Sequence, residues 1–175
     1  MLVKILIGTA VVLVALVAYV ATQPGEFSVS RSATFAAPAP AVFAQVNELK
    51  KWEAWSPWEK IDPAIKRSYS GADSGKGAVY AWQGNKDIGQ GRMEILESTP
   101  SSKVVIKIDF IQPIEAHNTI EFRLERQGDG AKVTQAMYGP SSFLSKLVGL
   151  FCSMDKMIGQ KFDEGLTSLK SIVEK

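Results

Sequence analysis

Few residues in this chain have a type and spacing that could do chemistry. His117 is the only histidine and Cys152 the only cysteine. A histidine-based metal site, or a nucleophile activated through a triad, would have to be assembled around that one imidazole. The single cysteine excludes an internal disulfide, and its neighbours Leu150, Phe151 and Met154 make it a buried, inert thiol rather than a nucleophile. Gly75-Lys76 ends like a phosphate loop, but Ser70 stands where the first glycine is needed and Gly77 where the hydroxyl residue is needed. The stretch GQGRME lacks the third glycine and the parallel-sheet unit of a dinucleotide site. Asp155 with Asp163, and Asp109 with Glu121, are the carboxylate pairs available for acid/base work. Strand parity puts Asp109 and Glu121 on an outer face, where they read as solvated surface charge. No cofactor is expected.

The segment Trp52 to Trp58, WEAWSPW, holds three of the four tryptophans, each three positions from the next. Positions three apart share a helical face, so Trp52 and Trp55 lie along one side, while Trp58, beyond Pro57, is redirected. Three readings are open. The rings plug one end of a core; or Trp55 or Trp58 closes a pocket mouth with Tyr80 and Trp82, offering apolar area with a polar handle; or the corner touches a membrane. Trp82 shares parity with Tyr80, against Val79 and Ala81, which leaves open which face of that strand is inside.

These residues sit in a chain of 175, enough for one domain and an appendage. Charge is balanced, 20 basic against 18 acidic residues, with no basic stripe, so nucleic acid is excluded as a partner. Residues 1–22 are expected to form a single membrane-spanning helix. From Leu2 to Ala21 the chain is apolar apart from Lys4, Gly8 and Thr9, and a helix of that length covers roughly 30 Å, the hydrocarbon thickness of a bilayer. Lys4 can snorkel to one interface and Tyr19 suits the other. A cleaved secretory signal is the alternative, but AYVATQ gives a poor cleavage site. The amino group and Lys4 at the start place the following domain on the extracytoplasmic side. Residues 23–26, with Pro24 and Gly25, form a linker, and residues 27–175 the domain.

Within that domain, Phe27 to Phe35 alternates as a strand, and APAPAVFAQVNEL reads as a short helix. A series of strands follows, parted by turn residues. Met93 and Ile95, then Val104, Ile106, Ile108 and Phe110, then Ile120, Phe122 and Leu124, and then Val133, Gln135 and Met137 point inward by parity. Such alternation belongs to an antiparallel sheet with one face covered. The cover is a long amphipathic helix expected from Ser141 to Lys175, presenting Phe151, Met154, Met157 and Ile158 to the sheet. Gly149, Gly159 and Gly165 interrupt it, each costing about 1 kcal/mol relative to alanine; a close approach of the sheet, or flexing of the helix, would compensate.

The order of elements resembles the helix-grip fold of the START and Bet v 1-like (SRPBCC) superfamily, an α+β architecture with a curved antiparallel sheet of about seven strands wrapped on a C-terminal helix. The motifs WSPW, YSG, YAWQGNKDIGQGRMEI, EAHNTIEF and FDEGLTSLK are similar to the bacterial polyketide cyclase/dehydrase-like and lipid-transport-like branch, over about residues 27–175. The resemblance implies a hydrophobic cavity between sheet and helix. Its expected lining comes from the aromatics Trp55, Trp58, Tyr80 and Trp82, from Met93, Ile106, Phe110, Phe122, Gln135 and Met137 on the strands, and from Phe151, Met154 and Met157 on the helix. The methionines could mould to a ligand or simply fill a solid core. Gln135 and Asn118 are the inward polar side chains, and neither is assigned a catalytic role. The expected function is membrane-anchored binding of a lipid-like or other hydrophobic small molecule. A cyclase/dehydrase-like enzyme using the same cavity is the alternative, and a domain serving protein assembly is a third reading; no protein partner is specified.

Overall fold

The computed structural model describes residues 2–150 and 153–175, apart from the side chains of Leu144, Val148 and Met154. Phe151 and Cys152, and the side chain of Met154, therefore lie outside the described residues. Helix α1 (Leu2–Thr22) is long and apolar enough to cross a bilayer. Its side chains are exposed except at its C-terminal end, where Val20 is fully buried and α1 meets α4 (Phe143–Gly149).

Seven strands form one antiparallel sheet: β1 (Glu26–Phe35), β2 (Lys66–Gly71), β3 (Ala78–Gln83), β4 (Gln90–Thr99), β5 (Lys103–Gln112), β6 (Ala116–Gln127) and β7 (Gly130–Pro140). Strands β2 to β7 run as a meander, and β1 closes the far edge on β7, with Glu26 opposite Pro140 and Phe35 opposite Ala131. Alternate residues are buried along each central strand, as the period of two requires when one face is covered. A register shift between Ile95 and Glu97 bends β4 and adds curl to the sheet. The alternation also resolves Trp82, since Ala78, Tyr80 and Trp82 are the buried residues of β3.

Helix α2 (Ala39–Val46) starts with proline in its first turn, where no intrahelical N–H is lost. It leads through a 3-10 turn at Leu49–Lys51 into α3 (Trp52–Trp55) and a second 3-10 turn at Pro57–Lys60. The concave face is covered by α5 (Met154–Val173). The long cover is thus two helices rather than the single one expected from Ser141 onward. Ser153 supplies the reason, because its hydroxyl accepts from the Lys156 N–H at 3.2 Å and begins α5 afresh, with Asp155 in its first turn.

Phe162, Leu166 and Leu169 are buried on the inner face of α5, with Ile158 packed against the same core. Met157, expected inward, is 55% exposed, because one residue of helix turns the side chain by about 100° away from Ile158. Two of the helix glycines mark close approaches. At Gly159 a Cβ would fall 2.0 Å from the Arg31 guanidinium, and at Gly165 it would meet Pro57 at 3.3 Å. Gly149 has nothing near it, so close packing does not account for that residue. Arg31 lies on the inner face of β1 and reaches across to Asp155 at 2.9 Å and Asp163 at 3.3 Å. These carboxylates clasp α5 to the sheet rather than forming an acid/base pair.

Candidate functional site

The inner face of the sheet is not filled along its whole length. Between it, α4, α5 and the tryptophan corner lies a cavity of about 350 Å³, within the range of small-molecule sites. Its floor comes from the inward positions of consecutive strands: Tyr80 and Trp82 on β3, Met93 on β4, Ile108 and Phe110 on β5, Asn118 and Ile120 on β6, and Gln135 and Met137 on β7. Opposite, Trp52, Ser56, Trp58 and Glu59 close one side, with Ser145 of α4 and Ile158 of α5 above. Ile114, 49% exposed, marks the open rim at the β5–β6 connection. The α4 wall of the cavity lies beside the C-terminal end of α1, since the Ser141 N–H donates to the Gly25 carbonyl at 2.8 Å and α4 packs on α1.

Gly91 makes room at one end. It pairs with Trp82 across β3 and β4, and a Cβ there would sit 2.3 Å from the indole. The ring lies over the glycine, edge-on to Phe110 at 6.1 Å, and forms a wall instead of filling the space. The tryptophan corner divides its labour. Trp55 is 1% exposed and packs on Phe122 and Trp52, in the core and outside the cavity lining. Trp52 belongs to both core and lining, its indole N–H donating to the Val46 carbonyl at 3.0 Å. Trp58 lines the cavity and meets Phe162 edge-on at 6.0 Å. With Trp52 and Trp55 buried, the corner does not offer three rings to a membrane.

Of the residues expected at the ligand face, Trp58, Tyr80, Trp82, Met93, Phe110, Gln135 and Met137 line the cavity. Ile106 and Phe122 point inward but are wholly buried in the solid part of the core, Phe122 beneath Trp52 and Trp55. They and Trp55 are corrected to core positions. Met157 is corrected to an exposed position, as described above.

Sequence reasoning missed Glu59, which lies in a 3-10 turn too short for any periodicity to orient. Its side chain is 7% exposed; it accepts from the Tyr80 hydroxyl at 2.6 Å and from Arg67 Nε at 2.7 Å. Burial, then the hydrogen bond to Glu59, pushes the Tyr80 phenol far above its ordinary value, so it stays protonated at neutral pH. Tyr69 stacks on Tyr80 at 5.1 Å and bonds Glu53 at 2.6 Å. This chain of partners leaves the cavity wall electrically balanced at Glu59.

Two other lining groups are not so matched. Asn118 Oδ1 and Gln135 Oε1 are buried without a hydrogen-bond partner. Asp109 and Glu121 stand on the outer face, as parity requires, but are covered rather than solvated. Glu121 is only 8% exposed beneath Arg123 and Tyr138. Burial pushes the Asp109 carboxyl up, but hydrogen bonds from His117 and Lys107 outweigh it and leave the group below the ordinary range. Among the described residues no three His, Cys, Asp or Glu side chains are grouped to hold a metal ion.

Residues 26–174 match the model of a family described as polyketide cyclase/dehydrase and lipid transport. No curated protein matches the sequence. Among solved structures, protein CV1439 from Chromobacterium violaceum superposes with a TM-score of 0.60 at 13% identity, over 87% of this chain and 99% of its own. A protein from Staphylococcus epidermidis gives 0.59 at 17% identity, over 87% and 92%. Ara h 8.0201 gives 0.56 at 14% identity, over 85% and 98%. At these identities the likeness is one of fold, the Bet v 1-like helix grip.

Proposed function

The chain belongs to the polyketide cyclase/dehydrase and lipid transport family, and from that membership we propose that it binds a lipid-like or other hydrophobic small molecule beside a membrane. The observation that carries the reading is the apolar-walled cavity of about 350 Å³, one wall of which is α4, the helix that packs on α1. In this reading residues 1–22 anchor the chain, residues 23–26 are a linker, and residues 27–175 hold the ligand outside the cytoplasm. A molecule leaving the bilayer would then meet the rim at Ile114 and α4 without crossing bulk water. Burying its apolar surface is worth about 25 cal/mol per Å², enough to draw a greasy guest into a preformed space.

The test is photo-cross-linking of the full chain, reconstituted in nanodiscs, with a diazirine-bearing long-chain alcohol. Adducts on Met93, Trp82, Phe110 and Met137 are expected. Labelling confined to α1 and α4 would count against the cavity as the binding site.

A second reading, an enzyme of the cyclase/dehydrase kind, is favoured by one feature, the Glu59–Tyr80 pair on the cavity wall. Both Glu59 oxygens are already engaged, which fits a structural brace better than a free base. Glu59→Gln separates the two. A brace predicts lower stability with ligand affinity retained, whereas an acid/base role predicts loss of product formation from a polyketide-type substrate.

A further inference from the structure

We propose that the end of the sheet from which α1 departs is a lipid-docking face, with Phe143 of α4, Ile111 at the end of β5 and Ile114 just after it entering the surface of the bilayer that α1 spans. The inference rests on the reading of α1 as a membrane span, and it deepens the ligand-binding reading by setting the cavity rim against lipid.

The strand register brings these residues to one end. Phe27 pairs with Gly139, and Tyr138 with Thr119, so Gly139 and Asn118 stand level with Phe27. Asn118 in turn pairs with Ile108 on β5. Gly25 and Ser141, joined by a hydrogen bond of 2.8 Å, lie two residues beyond that line, as do Phe110 and Ala116, which pair with each other. The turn carrying Ile114 is farther out still, and Phe143 follows Ser141 by two residues. Three strand spacings part β1 from β5, so the turn stands roughly 14 Å along the sheet end from the start of β1.

The tether is too short to lift that end off the bilayer. Only Gln23 and Pro24 stand between Thr22, the last residue of α1, and Gly25, a reach of about 10 Å when fully extended. Crossing the hydrocarbon takes about 20 residues of helix, which uses α1 to its end, so α4, packed on α1 where Val20 is buried, sits at the level of the headgroups.

The exposed apolar side chains follow the same geometry. Outside α1, six large ones stand exposed among the described residues, and Ile111, Ile114 and Phe143, each about half exposed, are at this end. Tyr138, a residue type suited to the membrane interface, lies one residue inside the Gly139 level. Neither charge sign dominates around them, with Lys86 and Lys146 against Glu26, Asp87 and Glu115, so apolar insertion holds the face down rather than attraction to anionic lipid. Three side chains would hold a free domain weakly, but a short tether keeps it at an effective concentration of about millimolar or more, where a weak contact suffices. Ile114 both edges the cavity and meets the lipid, so docking closes the mouth to water and opens it to acyl chains.

The full chain, carrying Cys152→Ser so that single cysteines can be placed, is reconstituted in phosphatidylcholine nanodiscs containing a lipid with a nitroxide near the top of its acyl chain. A nitrobenzoxadiazole label is attached in turn at Ile111→Cys, Ile114→Cys and Phe143→Cys, at Val12→Cys within α1, and at Asp129→Cys in the β6–β7 turn at the opposite end of the sheet. All five positions are exposed, and circular dichroism confirms that the variants fold. Labels at the docking positions, held roughly 5–10 Å into the boundary of headgroups and acyl chains, should lose about half or more of their emission to the nitroxide. High salt should not restore that emission, and the label at Asp129→Cys should keep its own. Quenching at Val12→Cys with none at the three docking positions overturns the docking and leaves the anchor standing. Quenching that salt abolishes, or that is equal at Asp129→Cys, overturns the apolar docking too. No quenching at Val12→Cys overturns the anchor and the docking together.

Discussion

Trp52 and Trp55 sit one helical turn apart with ring centroids 4.8 Å apart, yet only one of them has a satisfied N–H. Trp52 Nε1 donates to Val46, while Trp55 Nε1 is buried without a partner. Replacement by phenylalanine should therefore differ between them. Trp52→Phe strands the Val46 carbonyl and should cost about 1–3 kcal/mol beyond the lost area, whereas Trp55→Phe removes an unmet donor and should cost less than its lost area alone implies. Urea unfolding of both variants measures this; equal losses would contradict the assignment of the two hydrogen bonds. Residue by residue, strand parity turns Met93, Phe110, Gln135 and Met137 inward, because a period of two puts alternate residues on one face. It does not separate cavity from solid core, which is why Ile106 and Phe122 were grouped with them. That boundary depends on where Trp52 and Trp55 land, a tertiary fact. Glu59 was illegible for a different reason, since its orientation comes from Tyr80 and Arg67, far along the chain.

At the scale of elements, α5 is held by a greasy stripe and by one ionic clasp. Leu166 is 2% exposed and Met157 is 55% exposed, so Leu166→Ala should cost about 2–5 kcal/mol and Met157→Ala less than about 0.5 kcal/mol, read from chemical denaturation. The clasp gives a pH signature. The hydrogen bond from Arg31 leads the causes that hold Asp155 below the ordinary aspartate value of 3.8. The folded chain thus takes up that proton less readily than the unfolded one. The clasp's contribution is complete above 3.8 and is lost as pH falls through the lowered value. Arg31→Gln should flatten that part of the acid-unfolding curve, and added salt should mimic it, because Asp155 is solvent-facing. An unchanged acid limb in Arg31→Gln would show that the clasp adds nothing. The amphipathic stripe was legible in the sequence because its period survives over five turns. The break before Ser153 was not, since Leu150 and Met157 continue the apolar pattern across it and the capping hydroxyl interrupts hydrogen bonding without interrupting periodicity.

In the whole molecule, an apolar helix long enough to cross a bilayer is joined to a helix-grip domain whose cavity is walled on one side by α4, the helix that packs on it. Gly91 bears on this directly. A Cβ there would meet both the Trp82 ring and, at 2.7 Å, the Asp109 backbone oxygen, so Gly91→Ala should push the indole toward the cavity and strain the β4–β5 pairing, lowering ligand affinity and stability together, read by ligand titration and urea unfolding. The measurement that tests the central claim most directly is mass spectrometry of small molecules that copurify with the full chain, compared between wild type and Ile120→Trp, which plugs the cavity. The account predicts a near-stoichiometric amphiphile with wild type and its loss from the plugged variant, both proteins giving the same circular dichroism. The same lipids in the same amounts with both proteins, at the level expected for a shell around α1, would contradict it.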